Sequence, residues 1–157
     1  GPLHGGANEQ VARMLLEIKS PDRLEAWLEA ALASGEKIMG FGHRVYKEGD
    51  PRAKILKAMS REITREVGHP EMYEMSARLE ELMGQRKGLI CNVDFYSASV
   101  YHSMGIPIDL FTPVFATSRV AGWCAHVLEQ YQNNRIYRPR GKYVGPTGEV
   151  YTPIDER

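Results

Sequence analysis

The chain has 157 residues, 43% of them apolar and 25% charged, the balance of an ordinary soluble domain; disorder and collagen-like repeats are excluded. Twenty Lys and Arg offset twenty Asp and Glu, so bulk positive charge drives binding neither to nucleic acid nor to a membrane surface. A folded chain of this size buries roughly two thirds of its surface, enough for a core without disulfides. The two cysteines, Cys91 and Cys124, are far apart and lack a CxxC pattern, which fits a reducing compartment and small core positions.

The predicted elements are helices almost throughout. Asn8 reads as the cap of a first helix, followed by Val11, Met14, Leu15 and Ile18 at helical spacing. Ser20-Pro21 closes it and opens a second, with Leu24, Trp27, Leu28 and Ala31 on one face and Gly35 as its stop. Residues 36–49 hold Gly40, Gly42 and Gly49 and cannot form a helix, so Ile38-Met39 is at most a short extended piece. Asp50-Pro51 restarts a helix with an expected apolar stripe of Leu56, Met59, Ile63 and Val67, ended by Gly68. Pro70 begins another, carrying Met72, Met75, Leu79 and Leu82, with Glu74 and Arg78 as an i, i+4 pair on its outer face.

After the apolar run from Leu89 to Val93, Asp94 is expected to cap a helix from Phe95 to about Met104, stopped by Gly105 and Pro107. Thr112-Pro113 opens the last long helix, where Phe115, Ser118, Gly122, Ala125 and Leu128 suggest close packing and Asn133-Asn134 marks the end. From Arg135 the chain is Pro/Gly-rich and reads as an extended arm with a small hairpin about Pro146. The longest stretch without charged residues, Phe95 to Ile108, is too short and polar to span a bilayer. No secretory signal is legible, and the opening Gly1-Pro2-Leu3-His4, without an initiator Met, suggests a segment of something longer.

Several residues could carry chemistry. His4 lies beside Gly5 and Gly6 just before a helix, where it is either a structural turn residue or a neutral imidazole able to polarise a carbonyl. His43 sits behind Gly40-Phe41-Gly42 in the longest irregular segment, either solvated or facing a ligand. Arg52 falls in the first turn of a helix, a poor place for a cation unless an anion is near. Asp94 is either a cap or a general base, and Arg119 stands in an otherwise uncharged helical stretch, where a cation needs an acid or a ligand. Arg138 and Arg140 are solvated by default, and His69, His102 and His126 carry no pattern that points to catalysis. His4, His43 and Asp94 have the composition of a facial iron triad, but no HxD or HExxH spacing supports a metal.

Together these segments resemble the citrate synthase family. The likeness runs through His4-Gly5-Gly6-Ala7-Asn8-Glu9, Gly40-Phe41-Gly42-His43-Arg44-Val45-Tyr46-Lys47, Asp50-Pro51-Arg52 and Asn92-Val93-Asp94-Phe95-Tyr96-Ser97. It continues through Gly105-Ile106-Pro107, Phe115-Ala116-Thr117-Ser118-Arg119, Gly122-Trp123, Ala125-His126 and Arg138-Pro139. The wording is that of the short bacterial and archaeal type. The resemblance implies an all-α fold with a small helical domain over about 1–110, the last helix of the large domain over 111–134, and an extended arm over 135–157. The N-terminal half of the family's enzyme, with one more substrate-binding histidine, would be missing.

The resemblance also implies roles. Asp94 would take a proton from the methyl group of acetyl-CoA, His4 would stabilise the resulting enol or enolate, and His43 would polarise and then protonate the carbonyl of oxaloacetate. Citryl-CoA would form and be hydrolysed to citrate and CoA, the reaction of the tricarboxylic acid cycle. Arg52, Arg119 and Arg138 would bind substrate carboxylates; Gly40, Phe41 and Gly42, with Lys47 and Lys87, would lie along CoA. No tightly bound cofactor and no metal is expected. The expected assembly is a cytoplasmic prokaryotic homodimer with exchanged arms. The alternatives are a 2-methylcitrate synthase using propionyl-CoA, and a non-catalytic fragment or dimerisation module. ATP-citrate lyase carries a related module, but Asp50-Pro51-Arg52 continues as in the synthase.

Overall fold

The computed structural model describes residues 4–157; Gly1, Pro2 and Leu3, part of the opening read above, lie outside the described residues. The chain is all-helical. Among the described residues six helices follow in order: α1 (Ala7–Ile18), α2 (Pro21–Ala33), α3 (Pro51–Glu66), α4 (Glu71–Lys87), α5 (Val93–Ser103) and α6 (Phe111–Gln132). Short 3₁₀ turns stand at Ile108–Leu110 and Ile154–Glu156. Among the described residues no helix is long and apolar enough to cross a membrane. The chain divides into two compact units, Gly1–Ala121 and Gly122–Arg157.

The first unit has one core. Val11, Leu15 and Ile18 of α1, Leu24 and Leu28 of α2, Met75 and Leu79 of α4 and Phe95 and Tyr96 of α5 are all but inaccessible. The periodic positions predicted for α1, α2 and α4 are the buried ones, Trp27 alone being half-buried, because an amphipathic helix must turn its apolar stripe inward. The start of α2 is as expected, with Pro21 in its first turn after Ser20. Asp50 caps α3 by accepting the amide of Arg52 at 3.0 Å.

Five local expectations give way. The cap of α1 is Gly6, and Asn8 lies inside the helix, fully buried. The buried face of α3 is Ala53, Ser60 and Thr64, whereas Met59 and Val67 are 46% and 44% exposed. That face lies one residue, about 100°, round from the predicted stripe. Its small side chains let α3 pack on α5, with Ser60 and Ser99 hydroxyls 2.7 Å apart in the interior. Arg78 pairs with Glu25 on α2 and, within α4, with Glu81 at i+3 rather than with Glu74. Of α6, only Phe111 is buried; Ser118, Gly122, Ala125 and Leu128 of the expected packing face are exposed, as is Cys124.

Ile38-Met39 is no more than a short irregular piece, as expected, and the segment pairs through an antiparallel bridge, Phe41 with Cys91. Gly42 N donates to Ile90 O at 2.8 Å and Asn92 N to Gly40 O at 2.9 Å. Gly40 is required here: its φ is +86°, and a Cβ would come within 2.8 Å of the Phe95 ring and 2.9 Å of Val11. This close approach anchors the loop that carries His43 on the core.

The second unit continues α6 to Gln132 and then has no helix or strand beyond the turn at Ile154–Glu156. The expected hairpin about Pro146 is absent among the described residues; Tyr143 OH donates to Pro146 O instead.

Candidate active site

A cleft of about 800 Å³ opens in the first unit. It is lined by His4, by Gly40, Phe41, Gly42, His43 and Lys47 of the loop, by Arg52, by Asp94, and by Arg119. Residues separated by up to 115 positions thus meet because the turn before α1, the bridged loop, the starts of α3 and α5, and α6 converge. Two sequence candidates are not among its lining residues. Lys87, the last residue of α4, is exposed and does not line the cleft. Arg138 belongs to the second unit and is exposed.

Asp94 is not the cap of α5. Asn92 takes that position, its side chain accepting the amide of Asp94 at 3.0 Å. Asn92 Nδ2 also donates to Gly42 O at 2.9 Å, which ties the helix start to the histidine loop. Asp94 is thereby left free, with Oδ1 buried and without a hydrogen-bond partner. Burial pushes its carboxyl up to about 6; the charge of Asp50 adds to this, while His4 and Arg52 oppose it. A carboxylate so placed is a better proton acceptor than one in water.

His43 is held in one tautomer. Its Nδ1 accepts the backbone amides of Val45 and Tyr46, each at 3.0 Å. Two amides at 3.0 Å outweigh the single longer contact of Arg52 Nη2 with Nε2 at 3.5 Å, so the proton of the neutral ring sits on Nε2. The Tyr46 ring stacks beside it, 4.5 Å between centroids, and the Arg52 guanidinium lies over the same tyrosine. His4 holds the turn into α1 through its carbonyl, which accepts from Ala7 N at 2.9 Å, and its ring meets the edge of Phe115.

The anion that Arg52 needs is in the chain itself. Asp50 accepts from Arg52 Nε and Nη2 at 2.9 and 2.8 Å. Burial alone would raise the Asp50 carboxyl, but the bonds from Arg52 and from the Val93 amide outweigh it and hold it below the ordinary range. Arg119 lies over the Phe115 ring and pairs with no carboxylate among the described residues. Two cations thus face one cleft with donors to spare. Glu80 accepts from Lys57, Tyr96 and Cys91, the last a residue of the bridge that holds the loop. Burial pushes the Cys91 thiol up to about 12, so it is an inert packing group. Among the described residues no three His, Cys, Asp or Glu gather as metal ligands would.

Sequence reasoning did not single out Asn92 or Tyr46 as site residues, and saw Asp50 only as a cap. Asn92 offered one signal: an Asn two residues before an acid at a helix start competes for the cap.

An all-helical unit whose cleft gathers two histidines, a free buried carboxyl and two arginines defines a site for acid–base work on an anionic ligand. The chain belongs to the citrate synthase family, since the family model described as citrate synthase, C-terminal domain, matches residues 1–140. "Citrate synthase 2" of Bacillus subtilis (strain 168) is 59% identical over the whole chain, which covers 42% of that relative. The "2-methylcitrate synthase" of Shewanella oneidensis is 47% identical, again over the whole chain and 42% of the relative. The structure is similar to citrate synthase from the thermophilic archaeon Thermoplasma acidophilum, solved in ternary complex with carboxymethyl coenzyme A and oxaloacetate. The TM-score is 0.85 at 43% identity, covering all of this chain and 43% of that one. The chain therefore spans about two fifths of the length of these relatives.

Proposed function

We propose that this chain is the C-terminal part of a citrate synthase and carries three of its catalytic side chains. The observation that carries the reading is the pairing, in one cleft, of the free buried carboxyl of Asp94 with a histidine whose Nε2 proton is fixed by its backbone contacts.

In this reading Asp94 takes a proton from the methyl group of acetyl-CoA. The negative charge moves to the thioester oxygen, where His4 donates a hydrogen bond. The enol carbon attacks the ketone carbon of oxaloacetate, and His43 donates from Nε2 to the ketone oxygen, which ends as the hydroxyl of citryl-CoA. Water then cleaves the thioester to give citrate and CoA. Arg52 and Arg119 bind the oxaloacetate carboxylates, with Arg138 joining from the arm of a second subunit. The Gly40-Phe41-Gly42 loop lies along CoA, with Lys47 and Lys87 as contacts to its phosphates.

The second unit supports arm exchange. Ile136, Val144 and Val150 are 90%, 89% and 87% exposed, apolar side chains that suit an arm lying on another surface. A homodimer in a prokaryotic cytoplasm fits this and the two free cysteines.

The similarity to a 2-methylcitrate synthase keeps propionyl-CoA as a second reading, since one methyl group is worth only about 1–3 kcal/mol of discrimination. The test is CoA release by the full-length protein with oxaloacetate plus acetyl-CoA, then plus propionyl-CoA. Faster turnover of acetyl-CoA, lost in Asp94→Asn by at least about 10²-fold in kcat, supports the proposal. Preference for propionyl-CoA moves it to the second reading, and no release with either acyl-CoA refutes both.

A further inference from the structure

Asp50 makes more hydrogen bonds than a helix cap requires. It is 4% exposed, and its two oxygens accept four hydrogen bonds. Oδ1 takes the Arg52 amide at 3.0 Å and Arg52 Nε at 2.9 Å. Oδ2 takes Arg52 Nη2 at 2.8 Å and the Val93 amide at 3.0 Å. Capping α3 needs only the first of these, and a serine would supply it. The Nε and Nη2 pair is the parallel fork by which arginine grips a carboxylate, and it fixes the guanidinium plane. The Val93 bond crosses to another helix and ends on the residue before Asp94. Among the described residues Arg52 Nη1 has no partner, and the side chain keeps 42% of its exposure. The held arginine can therefore still meet a ligand.

We propose that Asp50 is a positioning residue that clamps the Arg52 fork to the first residue of α5, keeping the carboxylate-binding guanidinium and the Asp94 carboxyl in fixed register. This rests on the citrate-forming reading of the cleft. Asp50 acts through its neighbours and does not touch substrate, because all its acceptor directions face the protein. It also sets the charge around the base. The groups facing Asp94 are His4 from the turn before α1, Asp50 and Arg52 from the start of α3, and Tyr101 from α5 itself. His43 and Arg119 line the same cleft. Removing the Asp50 charge deletes one anion near Asp94 and leaves Arg52 uncompensated, and both changes favour ionised Asp94.

The test uses Asp50→Asn and Asp50→Ser in the full-length protein, the serine retaining a helix cap. KM for oxaloacetate should rise about tenfold in each, as expected when a charge-assisted fork is lost. The acid limb of kcat/KM for acetyl-CoA should move to lower pH. A mere cap would change the melting temperature and leave both readouts in place. Folded variants with unchanged KM and an unmoved acid limb overturn the proposal. So does failure of both variants to fold, which makes Asp50 a determinant of the fold alone. If the wild-type protein releases no CoA, the reading of the reaction fails instead. The clamp is then tested by carboxyl ¹³C titration of Asp94, whose midpoint should fall in Asp50→Ser; an unmoved midpoint overturns it.

Discussion

Replacing Asp94 by asparagine should make the protein more stable at neutral pH while abolishing turnover. In the folded chain burial pushes this carboxyl from the ordinary 3.8 to about 6. A raised acid pKa means the folded state holds its proton more tightly than the unfolded state. Stability contributed by that proton is present below about pH 4 and is lost as pH rises through 6. A shift of about two units corresponds to at most about 3 kcal/mol. Asparagine is uncharged at every pH and escapes this cost. The Asn variant should therefore exceed the wild type by up to about 2–3 kcal/mol at pH 7, with the gap closing toward pH 4. Urea denaturation of both proteins without substrates, at steps from pH 4 to pH 7.5, measures it. Equal stability at pH 7, or a gap that does not change with pH, would refute the burial argument.

Gly40→Ala should destabilise the fold by about 1–3 kcal/mol, because the new methyl group meets Phe95 and Val11 in a left-handed backbone; denaturant midpoints check this, and an unchanged midpoint contradicts the close approach. Arg138→Ala should raise KM for oxaloacetate through loss of a charge-assisted bond of about 1.5–3 kcal/mol. If Arg138 acts in trans, mixing that variant with Asp94→Asn and verifying subunit exchange by mass spectrometry should bring activity well above either parent, whereas parental activity after exchange places the arm in cis or outside the site. Turnover should survive EDTA, since the His4 and His43 donors supply the polarisation in this mechanism; loss restored by one divalent metal would contradict it.

What the sequence revealed depended on how local each feature is. Pro21 and Asp50-Pro51 mark helix starts by backbone chemistry alone, and Met72, Met75, Leu79 and Leu82 mark a face by spacing. The stripe of α3 is legible only in part: Leu56 packs against the core, but close packing against α5 selects small residues, so Ser60 and Thr64 are inside and Met59 outside. At α5 two cap-competent residues lie two apart, and only the folded loop, whose Gly42 carbonyl accepts from Asn92, shows which one caps. The same fact frees Asp94, so the feature that makes it a candidate base was not legible locally. His43 and Arg52 were visible as candidates from their glycines and helix position. The tautomer of one and the clamp on the other come from contacts that no spacing reports.

The claim that Asp94 is the base taking the methyl proton is tested most directly by the pH dependence of kcat/KM for acetyl-CoA in the full-length protein. That profile reports the titration of the free enzyme's essential base. The structure predicts an acid limb with its midpoint at about 6. A limb at the ordinary carboxylate position near 4, or a profile flat from pH 5 to 8, would contradict it.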